Sequence, residues 1–187
     1  MSNQAPVPTV VQETLDAFGA NLSARDIWDE PAELYWLILA AGKVRLELFS
    51  ELPGFFEDAR PVEKLAALAE AAEQTGPNFS RLAPPGVYGL AFFTEAWIVD
   101  VSKLGPDQVD EVMRNAHARE LSLRTDRIEQ RSIHGVDRNG YRLYVAQPRG
   151  GAIKTIVEQR SSEIHLGGTI VLALEKLLTV VKGERSQ

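Results

Sequence analysis

The stretch Gly86 to Val101, GVYGLAFFTEAWIVDV, constrains this chain more than any other. Its apolar residues fall on both alternating faces of an extended backbone, and no polar stripe at helical spacing divides them. A strand of that kind needs cover on both faces, so it belongs at the centre of a sheet. The rest of the chain must then supply its neighbours and the layers that bury it.

Neighbours are readable on both sides. Downstream, the runs Arg127 to Val136 and Tyr141 to Gln147 flank Asp137-Arg138-Asn139-Gly140, and Asn-Gly supplies the left-handed dihedrals of a tight hairpin. Upstream, Lys43 to Leu48 alternates charged and apolar residues, which sets Val44, Leu46 and Leu48 on one face of a half-buried strand. Before it, ELYWLILA reads either as a helix led by Pro31 or as a buried strand. Its aromatic and branched composition favours the strand, paired to the next through Ala41-Gly42. Arg149-Gly150-Gly151 makes a turn, and Ile153 to Glu158 is a candidate edge strand.

Helices fill the gaps. Thr9 and Gln12 fit a capping box ahead of Val11, Leu15 and Phe18, so a first helix is expected over Val10 to Phe18, ending at Gly19. Pro61 opens a second, over 62 to 74, and the Gly- and Pro-rich segment 76 to 86 reads as a loop. Val109, Val112, Met113 and Ala116 predict a third helix, ending near Glu120, that covers the sheet. Leu166 to Lys182 is the last, stopped by Gly183. The expectation is a single α+β domain over residues 1–187, with flexible 1–8 and 183–187. About four helices should pack on a mostly antiparallel, mixed sheet.

Composition narrows the chemistry. The 187 residues include no cysteine, which removes disulfides, thiolate zinc sites, iron–sulfur clusters and thiol nucleophiles together. A net charge of -6 provides no global positive field for phosphate backbones, so nucleic acid is an unlikely partner. The start of the chain lacks a signal-peptide pattern, and no uncharged apolar run reaches the roughly 18 residues of a membrane span. The expectation is a soluble cytoplasmic protein without membrane contact.

Three blocks occur together: Trp28-Asp29-Glu30-Pro31 leading into Leu34-Tyr35, Glu95-Ala96-Trp97, and Arg127-Ile128-Glu129 followed by Val136-Asp137-Arg138-Asn139-Gly140. The set resembles small uncharacterised proteins of actinobacteria and their phages, over roughly residues 26 to 148. The resemblance implies a strand after the Trp-Asp-x-Pro block, in accord with the strand reading of residues 33 to 39. It implies no activity and carries no catalytic residues.

Glu95 is the leading candidate for chemistry, because a carboxylate among Phe92, Phe93, Trp97, Ile98 and Val99 is costly if desolvated and unpaired. The structural reading pairs it across the sheet with Arg131 or Arg127. The functional reading sets it beside Glu129 as an acid–base pair, with Arg131 and His134 in the same pocket. His117, His134 and His165 lack the close spacings of zinc ligands, and convergence with Asp100 or Glu129 is the lesser reading, so no metal is expected. No nucleophile elbow, Walker lysine loop or dinucleotide glycine fingerprint occurs, so no cofactor is expected.

Gly167, Gly168 and Thr169 precede or open a helix whose free N–H groups could hold an anion, although plain loop chemistry is the commoner use of such a pair. Arg114, Arg119, Arg124, Arg127 and Arg131 are offset by Glu120, Asp126 and Glu129 and have no interleaved aromatics, which fits a solvated helix and turn. Phe55 and Phe56 sit in a Pro- and Gly-bounded loop and, if exposed, would contact a protein partner or a second copy of the chain. The expected function is a non-enzymatic interaction or accessory protein acting through protein–protein contacts. The alternative is a small hydrolase or ligand-binding domain with a carboxylate and arginine pocket on the sheet.

Overall fold

A computed structural model describes residues 7–51, 53–57, 60–117, 120–159 and 168–183. Among them are α1 (Thr9–Ser23), β1 (Glu33–Ala40), β2 (Lys43–Leu48), α2 (Pro61–Thr75), α3 (Pro77–Ser80), β3 (Val87–Ile98), α4 (Pro106–His117), β4 (Ile128–Asp137), β5 (Tyr141–Pro148), β6 (Lys154–Gln159) and α5 (Thr169–Lys182). The strands form one sheet in the order β2-β1-β3-β4-β5-β6. Every neighbouring pair is antiparallel, so the sheet is not mixed. The helix-bearing connection from β2 to β3 crosses over β1, so β2 and β3 run parallel without pairing, whereas the one from β3 to β4 brings the chain back antiparallel. No described helix is long and apolar enough to cross a membrane.

The two faces of β1 and β3 are both apolar because each faces a helical layer. On one side Val11, Leu15, Phe18 and Leu22 of α1 pack on Tyr35, Leu37, Ala91, Phe93, Ile133 and Val145. On the other, Leu65, Ala69 and Ala72 of α2 and Leu174, Leu177 and Leu178 of α5 pack on Leu34, Trp36, Leu90, Phe92 and Val136. The helix alternative for residues 31 to 41 is thereby set aside.

Several local expectations are corrected. Helix α1 runs through Gly19 to Ser23, because burying Leu22 completely contributes about 1.5–3 kcal/mol, more than the roughly 1 kcal/mol that glycine costs in a helix. The capping box does not form: Thr9 is already helical, the Pro8 carbonyl accepts from the Gln12 N–H, and the Gln12 side chain bonds Asp16. In the second hairpin only Gly140 is left-handed (φ 83°). There Asp137 Oδ1 accepts from the N–H groups of Asn139 and Tyr141 at 2.8 and 2.9 Å, a side-chain-built turn. The segment 76–86 contains the single turn α3, because Phe79 is drawn onto Phe49 and Trp36, with ring centroids 6.0 and 6.4 Å away.

Helix α4 does not lie across the sheet. It packs on a short turn of 3-10 helix, Leu121–Leu123, and of its apolar stripe Val112 is buried while Met113 is 53% exposed. Val44 and Leu46 pack on the α1 side of the sheet, as a half-buried strand requires, but Leu48 is 48% exposed at the strand end. Helix α5 is described from Thr169 to its left-handed cap at Gly183, and residues 166 and 167 lie outside the described set.

Candidate functional site: an acidic cleft beside β3

Strand β1 reaches only as far as the pair Glu33–Phe93, whereas β4 accompanies β3 down to Ile98–Ile128. From Thr94 onward β3 therefore has a strand on one edge only among the described residues. The reason lies in how the chain travels from α1 to β1. Arg25 bonds Glu30, Glu33 and the Tyr35 hydroxyl, and its guanidinium lies 3.5 Å from the centre of the Phe93 ring. Arg131 donates to the Arg25 carbonyl at 2.7 Å, and the guanidinium groups of Arg131 and Arg149 lie 5.1 and 5.2 Å from the centre of the Trp28 ring. These contacts hold the loop across the sheet, and the chain reaches the β1 position only at Glu33.

Beside this edge is a cleft of about 520 Å³. Asp29, Glu30, Pro31 and Ala32 form one wall, Phe56, Glu57 and Pro61 the other, and Thr94 to Trp97 the floor, with Glu129 reaching in from β4. Five of these residues are acidic, and among the described residues lining the cleft none is Lys, Arg or His. Arg25 pairs with Glu30, and Arg149 with Glu129. No Lys or Arg among the described residues pairs with Asp29, Glu57 or Glu95.

Glu95 is the centre of the arrangement. Its Oε2 accepts from the Asp29 N–H at 2.7 Å, while its Oε1 is buried with no hydrogen-bond partner among the described residues. Burial pushes the Glu95 carboxyl above its ordinary range; the N–H groups of Asp29 and Glu30 oppose that shift and the charge of Glu129 adds to it. One carboxylate oxygen each from Asp29, Glu95 and Glu129 lie within 4.8 Å of one another. Asp29 itself is left-handed (φ 66°), a conformation that costs a non-glycine residue free energy and that the pinned loop imposes. Three clustered oxygen donors suit a hard cation, an ammonium or a guanidinium group.

The structure thus brings Glu95 and Glu129 together, and separates them from their expected companions. Arg131 does stand opposite Glu95 in the register, but both Nε and Nη2 are taken by Gln147 Oε1 at 2.9 and 2.7 Å. Arg127 bonds the Arg124 carbonyl and covers Trp97 at 4.6 Å, so neither arginine neutralises Glu95. His134 is on the opposite face of the sheet, its Nε2 3.4 Å from Ser132 Oγ and its ring 4.7 Å from Tyr144, and burial lowers its pKa to about 4.

Phe56 is not an exposed contact. It is buried edge-on against Phe92 at 5.2 Å, with Phe55 partly buried beside it, because the sheet face below offers an apolar floor. Gly168 caps α5 at φ 118° and Thr169 begins it, while Gly167, His165, Arg119 and the side chain of His117 lie outside the described residues. Asp29, Glu30 and Glu57 are the acidic cleft residues that sequence reasoning missed. Asp29 lay within the Trp-Asp-x-Pro block, but only the crossing of the loop aims it at Glu95. Comparison with known protein families, curated proteins and solved structures finds no match.

Proposed function

We propose that the protein is an interaction module whose partner docks in this cleft through a positively charged group. The observation that carries the reading is the buried, unpartnered Glu95 Oε1 beside Asp29 and Glu129. A desolvated carboxylate without a counter-charge is costly, and a cation supplied from outside offsets that cost when it binds. Trp97, 37% exposed on the cleft floor, adds an aromatic contact of the kind enriched in interfaces.

A hydrolytic reading has one specific observation in its favour, the raised pKa of Glu95 next to a second carboxylate, as general acid–base chemistry requires. Among its described residues the cleft offers no Lys, Arg or His to steady a developing anion, which favours binding over turnover.

Site-specific photocrosslinking separates the two. A photoreactive amino acid at Trp97 is expected to capture a partner protein in native extract, with capture lost when Glu95→Gln and Glu129→Gln are added. The same probe at Leu172, exposed on α5, is expected to capture nothing dependent on those carboxylates. Capture at Trp97 that is indifferent to the double substitution contradicts the docking reading. Turnover of model esters or glycosides that is lost in Glu95→Gln gives the site to the hydrolytic one.

A further inference from the structure

We infer that the partner enters the cleft as an extended segment, pairing its backbone with the free edge of β3 at Thr94–Ile98 and setting a lysine or arginine against Glu95. The inference rests on the docking reading above and specifies its geometry.

The edge argues first. Free strand edges invite pairing, and proteins blunt them with charge or cover. The outermost strand β2 follows that rule, with Lys43, Arg45 and Glu47 alternating along it. The free edge of β3 is different in kind: it lies inside the sheet, in the line that β1 leaves below Glu33. Strand geometry turns alternate N–H and C=O groups away from β4 along this edge, where Thr94 to Trp97 line the cleft. Asp29 to Ala32 on one side and Phe56, Glu57 and Pro61 on the other flank Thr94 to Trp97 in the lining of the cleft, an arrangement that suits the addition of one strand.

The two sides of the slot then specify the segment. Strand side chains alternate, so an added strand presents successive residues to opposite faces. One face meets Glu95, Asp29 and Glu129; the other meets Thr94, Ala96 and the buried ring of Phe56. A segment alternating basic and apolar residues satisfies both, and its positive charge complements a cleft whose described lining holds no cation. An acidic or all-polar segment leaves carboxylate facing carboxylate.

The test uses the whole protein and the peptide acetyl-Val-Lys-Val-Lys-Val-amide. Two control peptides accompany it, one with both lysines replaced by glutamate and one N-methylated at every residue. Binding followed by amide NMR is expected for the basic peptide, with exchange of alternate amides in Thr94–Ile98 slowed by about tenfold or more at saturation. The glutamate and N-methylated peptides should bind at least about tenfold more weakly, and Glu95→Gln should weaken the basic peptide by a similar factor. The amide introduced by Glu95→Gln retains an acceptor oxygen for the Asp29 N–H, so that variant keeps the loop contact.

Equal binding of the N-methylated peptide, or binding without slowed exchange in 94–98, overturns strand pairing. So does the absence of binding by the basic peptide. None of those results bears on the crosslink at Trp97, whose dependence on Glu95 and Glu129 decides the docking reading separately.

Discussion

Between Gly89 and Phe93, strand β3 has a partner on each edge and a helical layer on each face, and every residue is buried; from Glu95 to Ile98 it keeps β4 alone and none is buried. The alternation of side chains is continuous through both halves. Phe93 and Glu95 point to the same side, the first under the Arg25 guanidinium and the second into an acidic cleft. The difference comes from where a neighbouring strand starts, which is fixed by the loop that Arg25 and Arg131 tie down. One half of the strand is packed on every side, and the other leaves Glu95 Oε1 without a hydrogen-bond partner among the described residues.

That contrast can be broken first at its strongest point. Phe93→Ala, in the fully buried half, is expected to cost about 3–5 kcal/mol, against about 1 kcal/mol or less for Trp97→Ala, which loses mainly an exposed contact with Arg127. Equal losses by denaturant unfolding would erase the distinction between the halves. Next in size is Arg131→Ala, which strips charged hydrogen bonds from Gln147 and the Arg25 carbonyl and should cost about 2–3 kcal/mol. Arg127→Ala should lie near 0.5–1 kcal/mol by the scale of exposed cation–π pairs.

Gly135→Ala probes the packing of α1 on the sheet. A Cβ there would come within 2.6 Å of Phe18 Cζ, so a loss of about 1–3 kcal/mol is expected in the same assay.

The smallest effects are in pH dependence, and they have opposite signs on the two faces. The Glu95 carboxyl is raised in the folded state, so its charged form costs stability, and that cost accrues as pH rises from its unfolded pKa through its folded one. Glu95→Gln should therefore gain on wild type as pH rises from the carboxylate range toward neutrality. His134 is depressed from an ordinary value near 6.5 to about 4, so its contribution is present above pH 6.5 and lost as pH falls toward 4. His134→Gln should flatten the wild-type loss in that window. Thermal melts across pH of both variants check the two signs together.

Much of the fold was legible because its signals are local. Ala41-Gly42 supplies two left-handed residues, the doubly apolar β3 requires a central position, and Pro61 marks a helix start. The misses trace to contacts made across the chain. Gly19 could not stop α1 once Leu22 had a pocket, and α4 settled on Leu121–Leu123, away from the sheet, with Met113 left exposed. At the site, register did set Glu95 opposite Arg131, but adjacency did not make an ion pair, because Gln147 on β5 took the guanidinium first. Glu95 and Glu129 could be singled out as carboxylates in strands. Asp29 and Glu57 could not, since their roles depend on where loops from distant positions close over β3.

Hydrogen exchange along β3 in the protein without added ligand reads out whether the lower edge of the strand is open. Every amide from Gly89 to Phe93 is expected to be protected to a similar, high level, while alternate amides from Thr94 to Ile98, those turned toward the open line below Glu33, exchange rapidly. Uniform protection through Ile98 would mean that the lower edge of β3 is already paired, and that the cleft is not an open docking site.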